Sequence, residues 1–493
     1  MLNKILKMKI AIIGGGFSSL SASCYLAQSG YEVTIYEKNA TLGGRARQLK
    51  GNGFTFDIGP TWYWMPDVFE KFFQDFNKKT SDYYELEKLS PAYKVYFGEN
   101  NSIDIADNLT DIIATFESIE KGSGSKLSSF IEEAKSNYDI AIKDLVYQPG
   151  DSIMELITIQ TAARVTQFFS TISTLVKSKF KDFRLQQILE FPVLFLGAKP
   201  SATPGFYNFM NYADFGLGTW HPRGGMYKVV EAMESLAVEL GVAFRTEANV
   251  EKIIVENNRA IGLIVNGEEI KADVVLSGAD YHFTETLLET SQRQYSEKYW
   301  DRKTFAPSSL LFYVGFDTKI ANVSHHTLFF DTSFDVHAKE IYDTKEWPKN
   351  PLFYASFPSK SDDSFALESQ EAATFLIPLA IDLEDTPEIR EHYFNTIIDR
   401  FEALTKQKVR EHIIFKSSYC VNDFKEDYNS YKGNAYGLAN ILTQTAFLRP
   451  KIKSKKVKNL YFTGQLTVPG PGVPPALISG KIASTKIIKE YTL

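Results

Sequence analysis

The sequence predicts an α/β fold: a Rossmann-like domain, discontinuous along the chain, with an inserted α+β domain and a helical subdomain. Three observations predict it. A strand, a glycine-rich turn, a helix and a second strand fill residues 9–37. Residues 108–200 carry many helical signals and few strand signals. Strands then return from residue 243 onward, and a last strand, a Pro/Gly loop and a helix close the chain, so the far end completes what residue 9 begins.

Lys9–Ile13 is a β-branched run that stops at Gly14-Gly15-Gly16. Residues 18–29 read as a helix with small and apolar contacts, and residues 33–36 as a second strand closed by Glu37. GFTFDIGPT at 53–61 reads as another strand. Val165, Phe168, Phe169, Ile172, Leu175, Val176, Phe180 and Phe183 recur at helical spacing, and no acid interrupts 156–181 while Arg164, Lys177, Lys179 and Lys181 are basic. Such a basic amphipathic helix lies in a membrane interface or packs its apolar side on the core, and the lack of acids favours the membrane. The fold class thus includes a membrane-facing helical subdomain. Residues 227–240 predict a helix, and VAFRT, VEKIIVE, RAIGLIVN and EEIKADVVLSGAD predict strands. Strands SSLLFYVGF and ATFLIPLAI and a helix over 388–406 follow, then a strand at 460–463, a loop over 467–475 and a closing helix.

The 493 residues suffice for about three domains. The content of 44% hydrophobic and 23% charged residues excludes a collagen-like or disordered chain. With 54 basic against 60 acidic residues the net charge is −6, so no global basic field invites nucleic acid. Two cysteines cannot build a disulfide framework or a thiolate metal site, which points to a reducing compartment. The seven histidines form no HxxxH or HExxH pattern, and no metal site is expected. The 37 Phe and 26 Tyr imply an extended apolar surface. No run reaches the ~18 apolar residues of a membrane span. The start of the chain reads as a short tail leading into a buried strand, since the apolar run at 10–13 is too short for a secretory signal.

The motifs point to a dinucleotide. In Gly14-x-Gly16-x-x-Ser19 the first glycine permits the tight turn and the second lets a pyrophosphate approach the helix N-terminus. Ser19 replaces the usual third glycine and stays small enough for helix–strand packing. Glu37, at the end of the second strand, can hold ribose hydroxyls and disfavours a 2′-phosphate. Gly43-Gly44-Arg45 offers a close backbone approach and a cation for a diphosphate. Asp57-Ile58-Gly59-Pro60 is a strand end whose turn can sit against a flat ring, and Trp62, Tyr63 and Trp64 are either core or ligand-lining.

These runs, together with TWHPRGGMYKVVEAM and NLYFTGQLTVPGPGVPPALISGKIAS, resemble the bacterial phytoene desaturase family of carotenoid desaturases, within the flavin amine oxidase and GDP-dissociation-inhibitor-like superfamily. The resemblance spans essentially the whole chain. It implies FAD in an extended form, with its pyrophosphate at Gly14, Gly16, Phe17 and Ser18, its adenosine ribose at Glu37 and Lys38, and Arg45 beside the pyrophosphate. It places Gly59, Pro60, Thr61 and Trp62 near the isoalloxazine, Val250 by the adenine, Gly464 and Gln465 by the ribityl and phosphate, and Val473 and Pro474 under the flavin ring. A helix starting there directs its positive end at the flavin N1–C2=O edge. Asp57, His221 and Arg223 are the candidates for a catalytic side chain near the flavin.

The resemblance further implies dehydrogenation of phytoene towards lycopene, hydride passing to flavin N5 and electrons then to a quinone or oxygen. The rivals are a hydroxycarotenoid 3,4-desaturase, a C30 carotenoid desaturase, an amine oxidase and a non-catalytic isoprenoid-binding escort. Partners are then a C40 carotenoid and a lipid surface, and the expected location is the cytoplasm, attached peripherally to the inner face of the cell membrane. The basic cluster Arg449, Lys451, Lys453, Lys455, Lys456 and Lys458 is a solvated loop or a further lipid contact. The domain limits expected are 1–72, 218–290 and 434–493 for FAD, 73–107 and 291–433 for substrate, and 108–217 for the helical subdomain.

Overall fold

A computed structural model describes residues 7–491; most of the expected N-terminal tail lies outside them. The nucleotide half is a five-stranded parallel sheet in the order Leu460–Phe462, Val274–Ser277, Lys9–Ile13, Glu32–Tyr36, Ala243–Arg245. Ile10, Ile12, Val33, Ile35, Val275 and Leu276 are all buried, as a parallel sheet covered on both faces requires. The first helix, Phe17–Gln28, packs on this sheet and on the closing helix, Val473–Glu490. Gly480 lets them meet, because a Cβ there would lie 2.3 Å from the Ser18 carbonyl oxygen.

EEIKADVVLSGAD, expected as one strand, serves two sheets. Glu268–Lys271 joins Val250–Glu256 and Arg259–Val265 in an antiparallel sheet, while Val274–Ser277 enters the parallel one. The break falls at Asp273, whose carboxylate accepts the Lys9 backbone N–H at 2.7 Å.

The second large sheet has seven strands in the order Ile413–Tyr419, Ser308–Phe316, Glu371–Leu379, Phe353–Ser356, His326–Phe329, Tyr93–Gly98, Asn101–Ile105. Only the pair His326–Phe329 and Tyr93–Gly98 is parallel. Helix Pro387–Thr405 buries Phe394, Ile397, Ile398 and Phe401 against this sheet.

The single amphipathic helix expected over 164–181 is two short ones, Val165–Phe169 and Ile172–Lys179, with a third, Phe183–Glu190, directly after. Thr171 and Asp182 break it. Each adopts extended backbone and caps the next helix with its side chain, Thr171 accepting from Thr174 N–H and Asp182 from Arg184 N–H. Ile172, Val176 and Phe180 are fully buried, whereas Val165 and Phe169 are 50% and 77% exposed. Among the described residues no helix is long and apolar enough to cross a membrane.

Candidate functional site

One cavity, with about 2610 Å³ of space unfilled by protein atoms including its open mouth, runs from the glycine-rich turn to the seven-stranded sheet. At one end lie Gly14, Gly16, Phe17, Ser18, Glu37, Lys38, Gly43, Gly44, Arg45, Val250, Gly464 and Gln465; further along come Gly59, Pro60, Thr61, Trp62 and Val473. The far end is apolar, walled by Phe191, Leu194, Leu328, Phe330, Phe334 and Leu376.

The local structure explains the polar end. Gly14 has φ +84°, the left-handed conformation that suits glycine. A Cβ at Gly16 would meet no protein atom within 4 Å, so its absence leaves open space at the head of the first helix. That helix has Gly16 as its N-cap, no side-chain cap and no acid in its first turn. Its first N–H groups and positive dipole end therefore suit an anion. The closing helix repeats the arrangement, with Gly472 as N-cap, prolines in the first turn and no side-chain cap, and Gly472 and Val473 line the cavity.

Glu37 is buried; its Oε2 accepts the Gly15 N–H at 2.7 Å and its Oε1 the Asn39 N–H at 2.9 Å. Oε1 also accepts Asn39 Nδ2 at 2.9 Å, so the carboxylate is fixed with one lone pair left for a further donor. Arg45 donates to Ser430 Oγ at 2.9 Å, and its Nε is buried with no partner. With its amide oriented to donate to the Tyr436 carbonyl, Gln465 accepts from Arg45 Nη2 at 3.1 Å. Burial lowers the Arg45 pKa, and Asp280 opposes that shift. Gly59 packs so tightly on Arg45 that a Cβ would sit 1.9 Å from the Arg45 carbonyl oxygen. Two uncapped helix ends, a fixed carboxylate and an arginine with an unpartnered Nε fit a dinucleotide diphosphate.

Five candidates sit elsewhere. Ser19 is buried against Gly278, where a Cβ would lie 2.1 Å from its Oγ, so it serves helix–strand packing and not the cavity. Pro474 is absent from the lining, which takes Gly472, Val473 and Ala476 from that turn. Asp57 is buried beneath the site, accepting the Met226 N–H at 2.8 Å and Gln48 Nε2 at 3.1 Å. It pins the start of helix Met226–Glu239. His221 is buried in a bond to Asp362, Nε2 to Oδ2 3.0 Å. Arg223 lies near the surface, its side chain 39% exposed beside Glu85, Glu87 and Asp363. Of the aromatic run, Trp62 lines the cavity while Tyr63 and Trp64 are core.

Sequence reasoning missed Asp280 and Tyr354, both of which line the cavity. Asp280 follows the strand Val274–Ser277 within SGAD, so its place at a strand end was a usable signal. Tyr354 gave none. The basic cluster divides: Lys455, Lys456 and Lys458 are exposed as expected, whereas Arg449 is 2% exposed and donates to the Leu438 carbonyl at 2.9 Å. Lys453 pairs with Glu490 at 2.5 Å.

Comparison with known proteins fits this geometry. The family model described as flavin containing amine oxidoreductase matches residues 18–488. A carotenoid 3,4-desaturase of Haloarcula japonica is 39% identical over 485 residues, covering 98% of each chain. A zeta-carotene-forming phytoene desaturase of Myxococcus xanthus is 29% identical over 491 residues, covering 97% of this chain and 94% of that one. The solved structure of an oxidoreductase from Methanosarcina mazei superposes with a TM-score of 0.63 at 16% identity, covering 98% of this chain and 100% of that one, which shows the shared fold.

Proposed function

The chain belongs to the flavin-containing amine oxidoreductase family, in its carotenoid desaturase branch, and from that premise we propose that it introduces a C=C bond at the 3,4 position of a carotenoid. Like its relatives it is an FAD-dependent oxidoreductase acting on CH–CH groups. The sequence favoured phytoene as substrate. The full-length 39% identity to a carotenoid 3,4-desaturase instead favours the runner-up reading.

The observation that supports carotenoid desaturation is the cavity joining an anion-binding end to an apolar, aromatic end, and the 3,4 position rests on the identity to the Haloarcula japonica enzyme. FAD, when bound, supplies the hydride acceptor. In this reading the heads of the two uncapped helices hold the diphosphate and face the flavin ring, Glu37 holds the adenosine ribose, and Arg45 neutralises the phosphates. Phe330, Phe334 and Leu328 hold the polyene and exclude water. The cofactor part takes 1–72, 218–290 and 434–493, the substrate part 73–107 and 291–433, and 108–217 the helical subdomain. A quinone or oxygen would be the electron acceptor in this reading.

The membrane contact we assign to residues 153–169, where Ile153, Met154, Ile157, Ile159, Val165 and Phe169 are all at least half exposed. The protein would then sit peripherally on the inner face of the cell membrane. Apolar side chains this exposed, close together in the chain, suit a lipid interface more than water.

The test is product analysis in cells that accumulate phytoene, a C30 precursor or a carotene lacking the 3,4 double bond. The expected result is desaturation of the last and recovery of the first two unchanged. Conversion of phytoene to coloured products would restore the phytoene reading. Flavin-loaded protein that converts none would end the desaturase reading.

A further inference from the structure

Behind the apolar end of the cavity stands a buried polar column. Tyr354 lines the cavity, and its hydroxyl bonds to Thr61 Oγ1 at 2.8 Å and to His326 Nδ1 at 2.6 Å. His326 is 0% exposed, lies flat on Trp62 with ring centroids 4.0 Å apart, and its Nε2 has no hydrogen-bond partner. The His325 ring follows at 4.5 Å and the His221 ring 4.6 Å beyond that, the last bonded to Asp362. A small polar chamber among Asp57, Thr61, His221, His325 and Ser356 runs alongside. Burying three imidazoles beside a hydrocarbon slot costs desolvation that packing alone would avoid.

The column is unprotonated at rest, and burial makes any imidazolium formed there short-lived. Burial and the neighbouring histidines push His325 and His326 well below the ordinary histidine range, so both rings are neutral at neutral pH. Burial raises the Tyr354 pKa, which keeps it a phenol able to accept one proton while giving another. At the far end burial acts to raise Asp362, but bonds from His221, the Gly224 N–H and Ser364 outweigh it and hold the carboxyl anionic. Asp57, pushed up to about 6 by burial, faces the same chamber, and His325 Nδ1 bonds Ser361 Oγ at 2.8 Å.

We propose that Tyr354 takes the proton lost from the substrate and passes its own to His326 Nδ1, making this pair the proton acceptor of the reaction. The inference rests on the desaturase reading. One C–H bond gives up hydrogen with both electrons, as hydride to oxidised FAD. The adjacent C–H bond breaks the other way, and its electron pair becomes the second bond of the new C=C. Its proton goes to the Tyr354 oxygen as the phenolic proton moves to His326, leaving an imidazolium. A carbon beside a departing hydride is acidic enough for a neutral acceptor, so no carboxylate base is needed. Tyr354 is then a catalytic residue, and His326, which acts through it, a positioning and relay residue.

Two measurements test this. His326→Asn sets an amide oxygen where Nδ1 stands, keeping an acceptor for Tyr354 without its basicity; Tyr354→Phe removes the hydroxyl. Both variants are expected to keep FAD and its visible spectrum, and to slow single-turnover flavin bleaching by on the order of 100-fold. The rate in H326N should rise with pH while that of the native enzyme stays flat. Flavin-loaded variants that bleach at the native rate would overturn the proposal.

The second measurement needs no substrate. In the native chain labelled with ¹⁵N-histidine, the resonances lost in H326N are expected to show a neutral ring with the proton on Nε2 and a bare Nδ1 that shifts in Y354F. A proton on Nδ1 would overturn the proposal, since that nitrogen could not then accept one from Tyr354. A native protein that oxidises no carotenoid would sink the substrate reading, and the tautomer would still decide whether the pair can take a proton.

Discussion

Asp57 illustrates how residue type and residue role part company. The sequence places it at a strand end beside the expected flavin site, and the structure makes it a buried anchor for the Met226 N–H. Burial raises its carboxyl from 3.8 to about 6. Between those values the folded protein keeps a proton that the unfolded chain has released. The stability of the neutral form is therefore complete below pH 3.8 and is lost as pH rises through 6. Asp57→Asn keeps an acceptor and cannot ionise. The stability of the native protein relative to D57N should thus fall by on the order of 3 kcal/mol across that window. Denaturant titrations at several pH values check it, and a constant difference would show that Asp57 is not desolvated as described. Arg223 makes the same point from the other side, since nothing in TWHPRGGM distinguishes an arginine that turns away to Glu87.

At the scale of elements, periodicity located the helical region but misjudged its continuity. Spacing of apolar residues over 165–183 fits one helix, and the caps at Thr171 and Asp182 divide it. The division buries Ile172, Val176 and Phe180 and leaves Ile159 at 88% and Phe169 at 77% exposure. The membrane contact we propose therefore rests on the exposed apolar residues of 153–169 and not on the basic residues 177–181. Replacing Ile159 and Phe169 together by Asp should reduce co-sedimentation with anionic lipid vesicles at least tenfold while flavin content stays native. Unchanged sedimentation would move the contact to another surface. The two uncapped helices, by contrast, were legible. Glycine before the first and the PGPGVPP run before the last imply N-termini without side-chain caps, and both open into the cavity.

Across the whole molecule, the parallel sheet draws its five strands from residues 9–13, 32–36, 243–245, 274–277 and 460–462. Its two flanking helices, near the two ends of the chain, meet where Gly480 faces Ser18, and only glycine leaves room for that contact. Gly480→Val should destabilise the fold by about 1–3 kcal/mol through overpacking. It should also weaken FAD retention, because the first helix carries the Gly16 turn. Thermal unfolding and flavin release would measure both, and native values for both would mean the helices part without cost.

The sequence by itself determined the β–α–β unit, the discontinuous α/β architecture and the family, and it named most of the residues that line the glycine-rich end of the cavity, because those features rest on local backbone demands. A tight turn, a helix free of caps and an acid at a strand end leave their mark within forty residues. Only the tertiary structure decided what lies at the other end of the cavity. Tyr354, His326, His221 and Asp362 come from separate strands and loops, and no spacing along the chain encodes their meeting. It arises from the pairing of His326–Phe329 with Phe353–Ser356 and from a loop folded back on His221, contacts whose register is set by packing across the whole sheet.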